Sequence, residues 1–158
     1  MDNSIIFDRY YNLTLRYLSY RPRSEKEIFD YLKKKASNST SLTEEIINKI
    51  LEKLKEYQFI DDKVFAKFWV EQRTKFKRKP IRIIEYELKQ KGIDVNLIEE
   101  ILSTFDDKDL DLENAKKLAE KKLDFYRSLD VRKRKEKVTN YLLRKGFNFE
   151  TVKKVLKY

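Results

Sequence analysis

The chain of 158 residues contains no cysteine and no histidine. Disulfides, thiolate nucleophiles, zinc sites built from these residues and histidine general bases are therefore excluded. Glycine and proline number two each, too few for the tight turns of a sheet protein. No apolar run approaches the length that spans a bilayer. The first residues, MDNSIIFDRYYN, lack the basic start and apolar stretch of a secretory signal. Nor is there a nucleophile–base pair, a metal-binding cluster or a glycine loop of the phosphate-cradling type. These absences point to a cytoplasmic protein that is not an enzyme and takes no cofactor, metal or membrane partner.

Charged and hydrophobic residues each make up 41%, and aromatics 13%. Such a chain has enough apolar material to fold, as one domain or as a few small helical units. The Lys-, Leu-, Ile- and Glu-rich balance predicts an all-α protein. With 37 basic against 27 acidic residues the net charge is +10. That favours a polyanionic partner, because Lys and Arg that neutralise phosphates release condensed counterions.

Both glycines lie in matching contexts, LKQKGIDVNLIEEIL at 88–102 and LLRKGFNFETVKKVL at 142–156. In each, a helix ends on Lys-Gly, an apolar residue follows, then Asp94 or Asn148 as the N-cap of a second helix. A third copy, SEKEIFDYLKKKA at 24–36, aligns Ile28, Leu32 and Ala36 with Ile84, Leu88 and Gly92, and with Val138, Leu142 and Gly146. Ser24 with Glu27, and Ser41 with Glu44, have the spacing of capping boxes. A further helix precedes each pair: from about Ser4 to Tyr20, from Asp61, and from near Asp109. Pro80 opens the middle helix of the second copy, where a missing N–H costs nothing. The expectation is three tandem three-helix repeats, 1–60, 61–105 and 106–158, helix-turn-helix-like and stacked into an elongated or curved molecule.

The stretch IDDKVFAKFWVEQR, 60–73, reads as scaffold. Asp61 or Asp62 suits the orphan N–H groups of a helix start better than a metal ion. Phe65, Phe68 and Trp69 have the spacing of a core stripe rather than of a base-stacking platform. Arg73, one turn on, is a candidate contact residue.

That stretch, together with RIIEYELKQKGI at 82–93 and RPRSEKEIFDYLKKK at 21–35, resembles the signature of the RecX family of regulatory proteins. The likeness extends over essentially the whole chain and is most specific in the middle repeat. One departure is KFKRKPIR at 75–82, where the family usually has a glycine shortly before the middle helix. The resemblance implies binding to the RecA recombinase filament on single-stranded DNA. It further implies modulation, in the inhibitory direction, of ATPase and strand exchange in recombination, DNA repair and the SOS response.

Basic residues gather at the same point of each copy. YRPRSEK at 20–26 carries Arg21 and Arg23, and KFKRKPIR carries Lys75, Lys77, Arg78, Lys79 and Arg82. VRKRKEK at 131–137 carries Arg132, Lys133, Arg134 and Lys135. With Arg73 these form the expected surface for RecA and for DNA phosphates, on a protein expected to be a monomer. FDDKDLDLEN at 105–114 is acidic and reads as a solvated linker and helix start. Two other classes fit the pattern. One is a non-specific helix-turn-helix-like DNA binder, since VNLIEEIL and FETVKKVL offer few side chains that read base edges. The other is a helical adaptor without a nucleic acid role.

Overall fold

The computed structural model describes residues 2–105 and 107–157, the side chains of Asp107 and Lys108 excepted. Among the described residues every regular element is helical. In order these are α1 (Asn3–Ser19), α2 (Glu25–Ala36), α3 (Glu44–Glu56), α4 (Asp62–Glu71), α5 (Ile81–Gln90), α6 (Val95–Leu102), α7 (Asp107–Phe125), α8 (Val131–Arg144) and α9 (Phe149–Leu156). A π-helical turn, Gln72–Phe76, prolongs α4. Of the acidic segment at 105–114, Asp106 and the side chains of Asp107 and Lys108 lie outside the described residues.

The helix starts follow from their caps. Ser24 and Glu27 close a reciprocal capping box at α2, and Asn148 accepts from Thr151 N–H at α9. Asp61 accepts from the N–H groups of Lys63 and Val64 at 2.8 and 3.1 Å. At α3 the cap is Thr43, which accepts from Ile46 N–H, and not the expected Ser41. The hydroxyl of Ser41 is spent on Ser39, 2.8 Å away, leaving Thr43 as the extended residue next to the helix. Pro80 stands just before α5, and its carbonyl accepts from Ile83 and Ile84 N–H.

The ends of α5 and α8 share one device. Ile93 N–H reaches Leu88 O, and Phe147 N–H reaches Leu142 O, in the wrap that follows a left-handed residue. Gly92 (φ 75°) and Gly146 (φ 99°) supply that conformation. They also admit close neighbours: a Cβ at Gly92 would lie 2.7 Å from Lys26 Cβ, and one at Gly146 2.6 Å from Ile83 Cγ1. The aligned positions Ile28 and Leu32, Ile84 and Leu88, and Val138 and Leu142 are all fully buried.

The chain forms two compact units, residues 1–68 with 88–94, and residues 69–87 with 95–158. The middle triplet of helices therefore contributes to both. In the first unit α1 lies on α2 and α3, and Ile6, Tyr10, Ile28, Leu32, Ile47, Ile50 and Leu54 belong to one core. In the second, α7 lies on α8 and α9, around Ala115, Ala119, Val138, Leu142, Phe147 and Val152. Phe65 and Trp69 are buried, as core residues of a helix with that spacing are, and Phe68 is half-buried.

Within each unit the start of one middle helix is closed by the next first helix. In the first, Asp62 on α4 accepts from Glu25 N–H of α2 at 2.8 Å, and Ser24 Oγ donates to Lys91 O at 2.8 Å. In the second, Asp111 on α7 accepts from Ile81 N–H of α5 at 3.0 Å, and Arg82 Nε donates to Gly146 O at 2.6 Å. Orphan helix N–H groups are thus satisfied across elements distant in sequence.

Candidate interaction surface

The three basic clusters fall at the starts of α2, α5 and α8, but the cations in them are held very differently. In the first cluster, the Arg21 guanidinium takes both oxygens of Glu27, at 2.6 and 3.2 Å, and donates to Pro22 O. Lys91 joins the same carboxylate at 2.8 Å. Burial pushes the Glu27 carboxyl up, but Arg21, Lys91 and the Ser24 N–H outweigh it and hold it at about 2. Arg23 lies 3.7 Å from the centre of the Tyr17 ring, which itself stacks on Tyr31. Among the described residues its buried Nε has no hydrogen-bond partner. Both arginines of this cluster are half-buried and carry local structure.

The second cluster is organised by one carboxylate. Glu87 accepts from Trp69 Nε1 at 3.0 Å and from Arg73 Nε at 2.9 Å, and pairs with Lys79 through its other oxygen. Arg73 also covers the Trp69 ring, 3.9 Å from its centre. Burial raises the Glu87 pKa, and the Lys79, Trp69 and Arg73 donors more than reverse that, so the carboxyl lies below its ordinary value. Arg73, an expected contact residue, is thus stacked on Trp69 and paired with Glu87.

Between Arg73 and Lys79 the backbone loops out through the π-helical turn. Lys79 N–H donates to Arg73 O at 3.0 Å, closing the loop at its base. Buried Thr74 gives its hydroxyl to Val70 O at 2.8 Å, satisfying a carbonyl within the widened helix. Arg78 takes φ 48°, the left-handed region that glycine enters most easily. Its side chain is held weakly through Nη1 to Asn114 Oδ1 at 3.4 Å, and Lys79 and Pro80 follow it into α5. Lys75 and Lys77 are exposed. Arg82 is committed to Gly146 O.

The third cluster is open. Arg132 and Lys133 are exposed, and Arg134 and Lys135 half-buried, at the start of α8. Asp130 caps the helix through Lys133 N–H and lies 3.9 Å from its ammonium. Lys135 Nζ reaches Lys157 O at 3.4 Å. The first turn of α8 holds no acidic residue, unlike those of α2 and α3. Cations there oppose the helix dipole, and the Asp130 carboxylate at the cap offsets this in part.

Sequence reasoning singled out the cations but not what holds them. Glu27 is legible only as a capping residue, and Glu87 and Lys91 not at all, because their roles depend on approaches across 8 to 64 residues. The exposed ring of Phe76 is visible in the sequence only as an aromatic between lysines.

The geometry defines an all-α protein of repeated three-helix modules whose basic turns are partly built in and partly presented. Models of the first, second and third three-helix domains of RecX match residues 11–54, 61–102 and 109–156 in order. The regulatory protein RecX of Bacillus licheniformis is 42% identical over 142 residues, 90% of this chain and 52% of that protein. That of Streptococcus mutans is 34% identical over 139 residues, 88% and 51%. The crystal structure of RecX from Lactobacillus salivarius superimposes with a TM-score of 0.73 at 31% identity, covering 96% of this chain and 94% of that one. A second crystal structure of regulatory protein RecX gives 0.74 at 33%, covering 99% and 74%. The chain belongs to the RecX family of regulatory proteins, a family of regulators and not of enzymes. It spans about half the length of the curated relatives it matches. Among the described residues no helix is long and apolar enough to cross a membrane.

Proposed function

We propose that the chain binds the RecA recombinase filament on single-stranded DNA. There it restrains ATP hydrolysis and strand exchange during homologous recombination and DNA repair, as a cytoplasmic monomer acting in the SOS response. The observation that carries this reading is the ordered match of three RecX three-helix domains along one chain. We take the repeats as 1–60, 61–105 and 106–158, which those matches support. The surface comprises Arg21, Arg23, Arg73, Lys75, Lys77, Arg78, Lys79, Arg82, Arg132, Lys133, Arg134 and Lys135. Their contributions differ. Lys75, Lys77, Arg132 and Lys133 are exposed and make direct contact, whereas Arg21, Arg73, Lys79 and Arg82 shape the turns that present them.

Co-sedimentation with RecA filaments assembled on single-stranded DNA tests this reading. The wild-type chain pellets with filaments, and replacing Lys75, Lys77, Arg132 and Lys133 by alanine reduces the pelleted fraction several-fold without unfolding the protein. Pelleting with DNA alone but not with filaments would favour a plain DNA-binding protein instead.

A further inference from the structure

Phe76 closes the π-helical turn with 71% of its surface exposed. Among the described residues no ring and no cation lies against it. Phe125 is equally exposed, yet it has Lys122 at 5.1 Å and the Tyr126 ring at 5.0 Å. Lys75 and Lys77, its neighbours in the sequence, are both exposed, and among the described residues neither forms an ion pair. Keeping a phenylalanine in water gains nothing for this fold.

The loop that carries this triplet is closed twice at its base. Arg73 O accepts from Lys79 N–H, and the side chains of the same two residues meet on Glu87. Thr74 anchors the inner side through Val70 O. The tip is therefore presented by a braced frame, and a ligand gains from its contacts without first having to order the loop. The ligand must supply a flat apolar face for the ring and negative charge on both sides of it. A nucleotide within a single strand has both features. A duplex hides its base faces in the stack, and an acidic peptide offers charge without the face.

We propose that Phe76 stacks on an unpaired base and that Lys75 and Lys77 hold the phosphates flanking it, making this loop tip a single-strand binding site. The assignment deepens the reading of a protein that acts on filaments formed on single-stranded DNA, but it concerns bare strand and is tested without RecA. Aromatic stacking is sequence-tolerant, so the site selects single strands and not a particular base.

Binding of the full chain to an oligo-dT strand and to an abasic strand of equal length separates stacking from charge. The wild type prefers oligo-dT. Phe76→Ala weakens binding to oligo-dT by about tenfold or more and leaves binding to the abasic strand unchanged, while Phe76→Tyr restores the preference. Lys75→Ala with Lys77→Ala weakens binding to both strands and lowers the salt slope by about 1 to 2. Equal wild-type affinity for the two strands, no measurable binding of either, or an unchanged oligo-dT affinity in Phe76→Ala would overturn the assignment. Full filament association by a Phe76→Ala variant that still binds oligo-dT normally sinks this site alone. Normal stacking on bare strand without any filament association sinks the filament reading and leaves the site.

Discussion

The carboxylate of Asp62 accepts the backbone N–H of Glu25 at 2.8 Å, so α4 caps the start of a helix 37 residues earlier in the chain. Burial pushes the Asp62 carboxyl up, and the Glu25 N–H only partly offsets this. The bond needs an acceptor oxygen, not a charge. Asp62→Ala is expected to cost about 1 kcal/mol, the usual loss for a helix cap, which lowers the melting temperature by roughly 2 to 4 °C. Asp62→Asn keeps the acceptor and should match or exceed the wild type at neutral pH. A calorimetric scan of the three proteins checks both.

Glu27 gives the protein a defined acid response. Its carboxyl lies at about 2 in the folded chain against an ordinary 4.5. A depressed carboxylate adds stability above its unfolded pKa and loses it as pH falls through the folded one. The contribution, on the order of 2 to 3 kcal/mol, is complete above about pH 4.5 and gone near pH 2. Urea midpoints should fall through that window for the wild type. For Glu27→Gln they should start lower at neutral pH and fall less steeply.

Much of this frame is legible in the sequence. The alignment of Ile28, Ile84 and Val138 marks the middle helices, and the spacing of Ser24 and Glu27 marks a capping box that the fold completes. These are local signals, set by helical period and cap chemistry. The π-helical turn is not legible, since QRTKF carries no glycine or proline to announce it. It depends on Glu87 approaching Trp69 and Arg73 from another helix. The basic clusters were legible as charge, yet whether a cation is presented or consumed depends on partners such as Gly146 O for Arg82. At α3, Ser41 and Thr43 both precede the helix with cap-forming hydroxyls, and only the loop conformation selects Thr43.

Glu87→Ala removes an acceptor shared by Trp69, Arg73 and Lys79. Two half-buried cations lose their counter-charge, for an expected cost of about 1 to 3 kcal/mol. Because the Trp69 indole loses this hydrogen bond too, its fluorescence and near-ultraviolet dichroism should change while helix content stays constant. An unchanged indole signal would mean that the carboxylate does not brace the turn.

Gly146→Ala forces a Cβ into a left-handed position and to 2.6 Å from Ile83 Cγ1. Strain and overpacking together should cost about 2 to 4 kcal/mol. Arg78→Gly makes the opposite change at φ 48°. Relief of strain there offsets the added freedom of the unfolded chain, so stability should shift by less than about 1 kcal/mol. Denaturant midpoints of the two variants separate these effects, and Arg78→Gly then serves as a charge deletion that spares the turn.

The most direct measurement is the single-stranded-DNA-dependent ATPase of RecA from the same organism, with this chain titrated from well below one copy per RecA. The filament reading predicts a fall in the rate at substoichiometric ratios, because one bound regulator affects a run of protomers. An unchanged rate at equimolar chain, under conditions where the chain binds bare single strands, would contradict it.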